Sequence, residues 1–458
     1  MRGLNKVSGG LMLAAMAGML ATAPVSAKKK KIVVAGPPIT MSDTFRASAA
    51  DAEAALKARD TATAASRISA LMPTTDFEAY VAAGMRYQLA VQRRDVQAQR
   101  LALTDLFKTT AVPRTEAPRL RFVAGYLSFM VGNYDDATAQ LDYAKTLGYD
   151  GIDAIMLRAD IALRRNKPKE ARPLLREALA RQRASGQEVP LAWIDRAISM
   201  AYQAEDWNEV GALYRERLAR TATPQDWRSA LTNYLSAADL ESQAQLDLYR
   251  LQAANGAMAS ERDYQAYAQL AEKAGFYAEA KAIIEAGRKA GKLTAKQPAT
   301  SALLKSVTPK ATKEIASLPA MAKKAAAASS GKEALALGDN YVSLGQFPQA
   351  VEQYRLALAK GGVDAGRVNA RLGIALARSG DYAGAQAALA QATDSDWANV
   401  AGFWSTWIDQ QNAYTDSVLT GLPGREALES VAARVLQVDA IGLPNERGGR
   451  YFHSKRRA

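Results

Sequence analysis

The chain has 458 residues, 48% of them hydrophobic, 23% charged and 7% aromatic, with a formal charge of +13, one histidine and no cysteine. Such a length can bury one large core or a long series of small ones. The absent cysteines exclude disulfide scaffolds, thiol catalysis and thiolate-bound zinc, and a nucleophile triad would have only His453, near the C-terminus, to draw on.

The N-terminus reads as a secretory signal. Arg2 and Lys6 form a basic region, Leu11 to Ala23 is apolar, and Val25-Ser26-Ala27 offers small residues for cleavage after Ala27. The alternative is a retained anchor, although the apolar run falls short of the roughly 20 residues a span needs. Cleavage removes Arg2 and Lys6 and leaves a charge of +11. Lys28 to Lys31 follow, within a segment 28–45 expected to be flexible. No later run is long and apolar enough to span a bilayer. The expected location is periplasmic or secreted. A basic exported chain is drawn to anionic surfaces. Nucleic acid is not expected as a partner, because the basic residues are dispersed beside acids and no nucleic-acid motif is present.

Ala-rich windows with few runs of Val, Ile or Thr then favour helix throughout. Between 46 and 295 a small residue, a turn dipeptide and an apolar helix recur. Arg59-Asp60 and Arg94-Asp95 mark units at about 46–72 and 77–108. Gly125, Gly132-Asn133-Tyr134, Ala137 and Leu141 mark a third, and Ala159, Asn166-Lys167-Pro168, Ala171 and Leu175 a fourth, thirty-four residues on. Glu205-Asp206-Trp207 with Tyr214, and Trp227 with Tyr234, mark two degenerate units. Ala268, Gly275-Phe276-Tyr277, Ala280 and Ile284 mark another. Residues 296–330 carry Pro298, Pro309 and Pro319 and read as a degenerate repeat or a helical linker, the best place for a hinge. In 331–411 the pattern is said twice, as Leu337-Gly338, Tyr341, Gly345-Gln346-Phe347, Ala350 and Tyr354, and thirty-five positions later as Leu372-Gly373, Gly380-Asp381-Tyr382, Ala385 and Leu389. A capping helix follows, with Phe403 and Trp404 expected to close the end of the stack. Residues 424–438 can form one amphipathic helix within a tail, 412–458, expected to be partly disordered.

This L-G-x2-Y and A-x3-F skeleton at a period of thirty-five resembles the tetratricopeptide repeat family. The resemblance implies an all-α fold, a right-handed superhelical solenoid of eight to ten stacked helix–turn–helix pairs with a concave and a convex face. It makes Gly338, Tyr341, Ala350, Tyr354, Gly373 and Ala385 structural residues, with Gly338 expected to face Ala350 and Gly373 to face Ala385. Gly361 is expected in a tolerant loop. In the family, the first helix of each pair lines the groove. Carried onto the unit beginning at Pro118, its inward positions are Arg119, Phe122, Tyr126, Phe129 and Met130. The next unit supplies Asp153, Met156, Asp160, Leu163 and Arg164, and the one after it Tyr202 and Gln203. These residues read either as a partner-binding groove edged by Arg119, Asp160 and Arg164, or, for Phe122, Phe129 and Met130, as interhelix core.

Chemistry is mostly excluded by inventory: no catalytic, cofactor-binding or metal-ligating set is expected. His453 lies in the tail, and no phosphate-cradling G-x-x-x-x-G-K motif exists. The carboxylate pairs Asp135-Asp136, Asp150/Asp153 and Asp394/Asp396 fall at helix starts, where acids cap backbone N–H groups. Glu241-Ser242 and Glu429-Ser430 lack the globular domain that a lytic transglycosylase would need. The expected function is a non-enzymatic scaffold of the bacterial cell envelope that binds a protein or peptide in its groove. The alternatives are a basic surface that binds anionic envelope polymer, or an accessory subunit of an envelope enzyme complex.

Overall fold

The computed structural model describes residues 41–392, 397–436 and the short segments 440–441, 445–447, 450–452 and 455–456. The signal segment with Ala27, the pair Asp394/Asp396 and His453 lie outside the described residues. The fold is all-α, a solenoid of stacked helix pairs, apart from short strand pairings near the C-terminus. It divides into two compact units, Met1–Trp193 and Ile194–Ala458.

In the first unit the pairs are α1 (Asp43–Lys57) with α2 (Thr61–Ser69), α3 (Asp76–Arg93) with α4 (Val96–Leu106), α5 (Ala117–Met130) with α6 (Tyr134–Thr146), and α7 (Ile152–Arg164) with α8 (Pro168–Ala184). The division falls near the start of α9 (Leu191–Gln203), which pairs with α10 (Trp207–Leu218). The second unit continues with α11 (Pro224–Ala237) and α12 (Ser242–Ala254), α13 (Glu261–Lys273) and α14 (Tyr277–Lys289), the single α15 (Pro298–Ala327), α16 (Lys332–Ser343) and α17 (Phe347–Lys360), and α18 (Ala365–Arg378) and α19 (Tyr382–Leu389). It ends in α20 (Ala398–Thr420) and α21 (Arg425–Leu436).

One device turns the chain inside eight of these pairs. Arg59, Arg94, Gly132, Asn166, Glu205, Gly275, Gly345 and Gly380 all hold φ between +53° and +88°. A left-handed residue ends the first helix in the shortest connection. The next residue starts the second helix, and the side chains of Asp60, Asp95, Asn133, Asp206 and Asp381 each accept a backbone N–H of the first turn. Glycine adopts this conformation freely, whereas a bulky residue such as Arg59 or Arg94 bears roughly 1 kcal/mol.

Close approach within pairs follows a constant spacing. A β-carbon added at Gly125 would lie 3.1 Å from Leu141 Cγ and 3.2 Å from the Ala137 carbonyl, and one at Gly373 would lie 2.5 Å from Leu389 Cγ and 3.1 Å from the Ala385 carbonyl. At Gly338 the nearest atoms belong instead to the Tyr354 ring, with Cε1 at 2.6 Å. A side chain added at Gly338 would thus meet the Tyr354 ring first, ahead of Ala350. A flat ring covers the glycine where leucines do so in the other two pairs, and Ala350 is fully buried beside it.

Among the described residues, two buried clusters mark the first unit. Phe45, Leu56, Tyr80, Met85, Leu103 and Leu127 belong to one, and Phe122, Leu141, Leu157 and Ile161 to the other, so α5 serves both of its neighbours. Glu78 ties α1 to α3: its carboxylate accepts Ser42 N and Oγ at 2.8 Å, Thr74 N at 2.7 Å and Thr74 Oγ1 at 2.8 Å. Burial opposes its ionisation, but these donors outweigh burial and hold it down to about 2.

In the second unit the segment expected to hinge is a single 30-residue helix, α15, with Pro309 and Pro319 inside it. It packs on α14 and α16 and buries Val307, Ala311, Leu318 and Ala325. Lys360 Nζ reaches the carbonyls of Ala325, Ala326 and Ala328 at its end. The helix expected to close the stack is α20. Besides α18 and α19, α20 packs on α10 and α12. Trp404 and Phe403 are fully buried there, and Trp404 Nε1 donates to the Asp247 carbonyl at 3.1 Å. Trp227 Nε1 donates to Gln410 Oε1 at 2.9 Å, and Asn399 joins Arg215 to Asn208. Gly402 and Gly211 make the crossing possible: a β-carbon on Gly402 would lie 2.7 Å from Arg215 Nε, and one on Gly211 2.5 Å from Asn399 Oδ1. Beyond α21, β1 (Ala440–Ile441) pairs with β4 (Lys455–Arg456) and β2 (Asn445–Arg447) with β3 (Arg450–Phe452), so these described parts of the tail have ordered pairing.

Candidate functional site

The expected groove residues of the first unit separate by burial. Phe122 is buried and stacks on Tyr149 with ring centroids 5.0 Å apart, while Met156 is 7% exposed. Both are interhelix core, because a helix between two neighbours has little surface left for a groove. Tyr126 and Phe129 are half-buried against the same cluster, with Phe129 5.9 Å from Tyr134. Arg119, Asp160 and Leu163 are half-buried, and Met130, Asp153 and Arg164 are exposed. The expected residues left exposed or half-buried are therefore Arg119, Tyr126, Phe129, Met130, Asp153, Asp160, Leu163 and Arg164.

Tyr202 is exposed in the second unit, edge-on to Trp207 at 5.3 Å. It lines a pocket of about 510 Å³. Asp195, Ser199 and Tyr202 form one wall at i, i+4, i+7 on α9. Asp226, Ala230 and Asn233 form the other at the same spacing on α11, and Tyr214 and Arg217 of α10 lie between. Arg217 fixes the walls, donating from Nε to Asp195 and from Nη1 to Asp226, each at 2.8 Å. The bonds from Arg217 and Thr223 hold Asp226 below the usual carboxylate range. Asn233 Nδ2 donates to Tyr214 Oη at 3.2 Å. Sequence reasoning reached Tyr202 and Gln203 but missed Asp195, Arg217, Asp226 and Asn233. The repeated i, i+4, i+7 spacing on the two degenerate helices was the signal available.

A second cavity, about 440 Å³, lies where α12, α13, α14, α18, α20 and the α16–α17 turn meet. Its floor joins a buried charge network. Arg250 donates from Nε and Nη2 to Glu279 at 2.8 and 2.7 Å and from Nη1 to Asp247 at 2.6 Å. Arg371 bridges Asp247, at 3.3 Å, and Asp339. Tyr267 Oη donates to Glu279 at 2.7 Å and Tyr354 Oη to Asp339 at 2.9 Å. Burial, reinforced by these carboxylates, pushes both phenols well above their usual range, so they remain donors. Burial works against the Arg250 charge, and Glu279 and Asp247 override it.

The carboxylates weighed for catalysis have structural work. Asp135 pairs with Arg165, Asp136 accepts from Ser128, Gln140 and Arg100, Asp150 pairs with Arg181, and Asp153 accepts from Tyr149 Oη at 2.6 Å. Glu241 pairs with Arg367 and Glu429 with Arg425. Among the described residues no group of three or more His, Cys, Asp or Glu could hold a metal ion, and no helix is long and apolar enough to cross a membrane.

No family model matches the chain, and no curated protein matches it. Among solved structures it is similar to a tetratricopeptide repeat protein from Parabacteroides merdae ATCC 43184, at 12% identity and a TM-score of 0.31 over 65% of this chain and 99% of that one. It is similar to Pseudomonas aeruginosa pilF, at 15% identity and a TM-score of 0.20 over 61% of this chain and 92% of that one. It is also similar to the TPR2AB-domain:pHSP90 complex of yeast Sti1, at 15% identity and a TM-score of 0.21 over 65% of this chain and 97% of that one. What identifies the fold is the chain's own geometry: eight left-handed turns inside helix pairs, and glycines covered by the residue sixteen positions on.

Proposed function

We propose that this chain is a non-enzymatic interaction scaffold of the bacterial cell envelope, exported by its N-terminal segment, that holds a protein or peptide along the first helices of its pairs. The observation that carries the reading is the α9–α11 pocket. Two facing stripes at helical spacing present hydroxyl, amide and carboxylate groups around the exposed ring of Tyr202. Such a surface suits a polypeptide, whose backbone needs polar partners and whose side chains need an apolar anchor. In the first unit Arg119, Tyr126, Phe129, Met130, Asp160 and Arg164 offer a comparable strip, with Phe122 and Met156 supporting it from the core. The formal charge of +11 left after removal of residues 1–27 with Arg2 and Lys6 supports a second reading, attachment to anionic envelope polymer.

Affinity capture from an envelope extract with the chain starting at Lys28, followed by mass spectrometry, names the partner. Tyr202→Ala should then weaken capture more than about tenfold, an aromatic anchor being worth about 2 kcal/mol or more, with the melting curve unchanged. Undiminished capture by this variant would remove the pocket from the binding surface. Capture that disappears at about 0.5 M salt, where exposed charges are screened, would favour the polymer. The exported protein should begin at Lys28, and an intact Met1 form held in the membrane would overturn cleavage.

A further inference from the structure

We propose that the cavity at the junction of α12, α14, α18 and α20 is a binding site for an aliphatic carboxylate, an acyl chain ending in a free acid group. This goes beyond the scaffold reading and concerns different residues from the α9–α11 pocket. The volume, about 440 Å³, falls in the range of small-molecule sites. Ile283, Val342, Ile374 and Trp404 give it an apolar wall. Phe347 and Arg378 stand at its mouth, with the Arg378 guanidinium 5.1 Å from the centre of the Phe347 ring.

The polar atoms split into two kinds. Those of the floor are already used: each Arg250 nitrogen donates to Glu279 or Asp247, and the Tyr267 hydroxyl donates to Glu279. Arg378 differs. It is exposed, and among the described residues no carboxylate pairs with it. The site therefore offers an apolar wall over a floor whose polar groups are already paired, and one exposed cation with no carboxylate partner among the described residues. A peptide would bring amide groups into a wall with no partners for them, which costs free energy. An acyl chain has no such groups along its length, and its single acid group can meet Arg378 in a charge-assisted hydrogen bond. The stacked Phe347 ring holds the guanidinium over the entrance without neutralising it.

The test is calorimetric titration of the purified full chain with decanoate, decanol and the tetrapeptide Ala-Ala-Ala-Leu with a free C-terminus. Decanoate should saturate at one per chain and bind at least about tenfold more tightly than decanol, the margin expected of a hydrogen bond between charged partners. Arg378→Gln, at an exposed position, should bring decanoate to the level of decanol with no change in melting temperature. Ala282→Trp, also at an exposed lining position, should abolish both. Tyr202→Ala should change neither, which separates this site from the proposed polypeptide site. The proposal fails if decanoate does not saturate, if decanol equals it, if Arg378→Gln leaves it unchanged, or if the tetrapeptide binds more tightly.

Discussion

At Gly338 two helices come so close that a β-carbon would lie 2.6 Å from the Tyr354 ring. The ring is anchored by its bond to Asp339 and cannot swing aside cheaply. Gly338→Leu should therefore overpack the pair and lower stability by roughly 1–3 kcal/mol. The reference position matters. Gly361 looks like a tolerant loop in sequence, but it holds φ +67° and ψ −167°, which only glycine adopts readily, and its carbonyl accepts Gly331 N at 2.8 Å. Gly421 is the proper comparison, being exposed, at φ −82°, with no neighbouring atom nearer than 3.6 Å to an added β-carbon. Thermal melts should separate Gly338→Leu from Gly421→Leu, and coincident curves would reject the assigned contact. The residue sixteen positions after each glycine was visible in the sequence as part of the motif. That Tyr354 rather than Ala350 covers Gly338 was not, because a spacing places residues on a face without saying which side chain reaches across.

The elements of the first unit are joined at Glu78, where α3 begins and the start of α1 is held. Its carboxyl lies near 4.5 when unperturbed and is held to about 2 here. A carboxylate depressed in the folded state stabilises the fold above its unfolded value, and that contribution is lost as pH falls from 4.5 through 2. The stability difference between the native chain and Glu78→Gln should thus be largest at neutral pH and shrink through that window. Urea unfolding at a series of pH values measures it, and a constant difference would show that Glu78 contributes by packing alone. Helix pairs and their turns were largely legible, since Arg59-Asp60, Asn166-Lys167 and Gly345-Gln346 are local signals. Residues 296–330 were legible only in part, as a degenerate repeat or a helical linker expected to hinge. Their three prolines suggested interruption, yet α15 accommodates Pro309 and Pro319 because Val307, Ala311 and Leu318 bury its flank.

At the scale of the whole chain the second unit is held by groups far apart in sequence. Arg371 is 2% exposed, and its guanidinium lies between Asp247 and Asp339. Arg371→Met removes the cation shared by two buried carboxylates, leaving Asp247 to Arg250 and Asp339 to Tyr354 and the longer Arg367 contact, and breaking such a network typically costs about 3–5 kcal/mol. Melting should show that loss, whereas Arg367→Met, at a half-buried position on the same helix, should cost less. Equal losses would mean that the network is no stronger than the flanking pairs. The sequence by itself determined the helix pairs, their turns and the small residues that let helices touch. These follow from contacts three to about thirty-five residues apart, which a repeating chain writes as periodicity. Tertiary structure alone decided what Phe403 and Trp404 cover, and where the pocket and the cavity lie. Trp404 reaches a carbonyl 157 residues away and Gln410 one 192 residues away. Partners so distant share no period, and only the folded backbone brings them together.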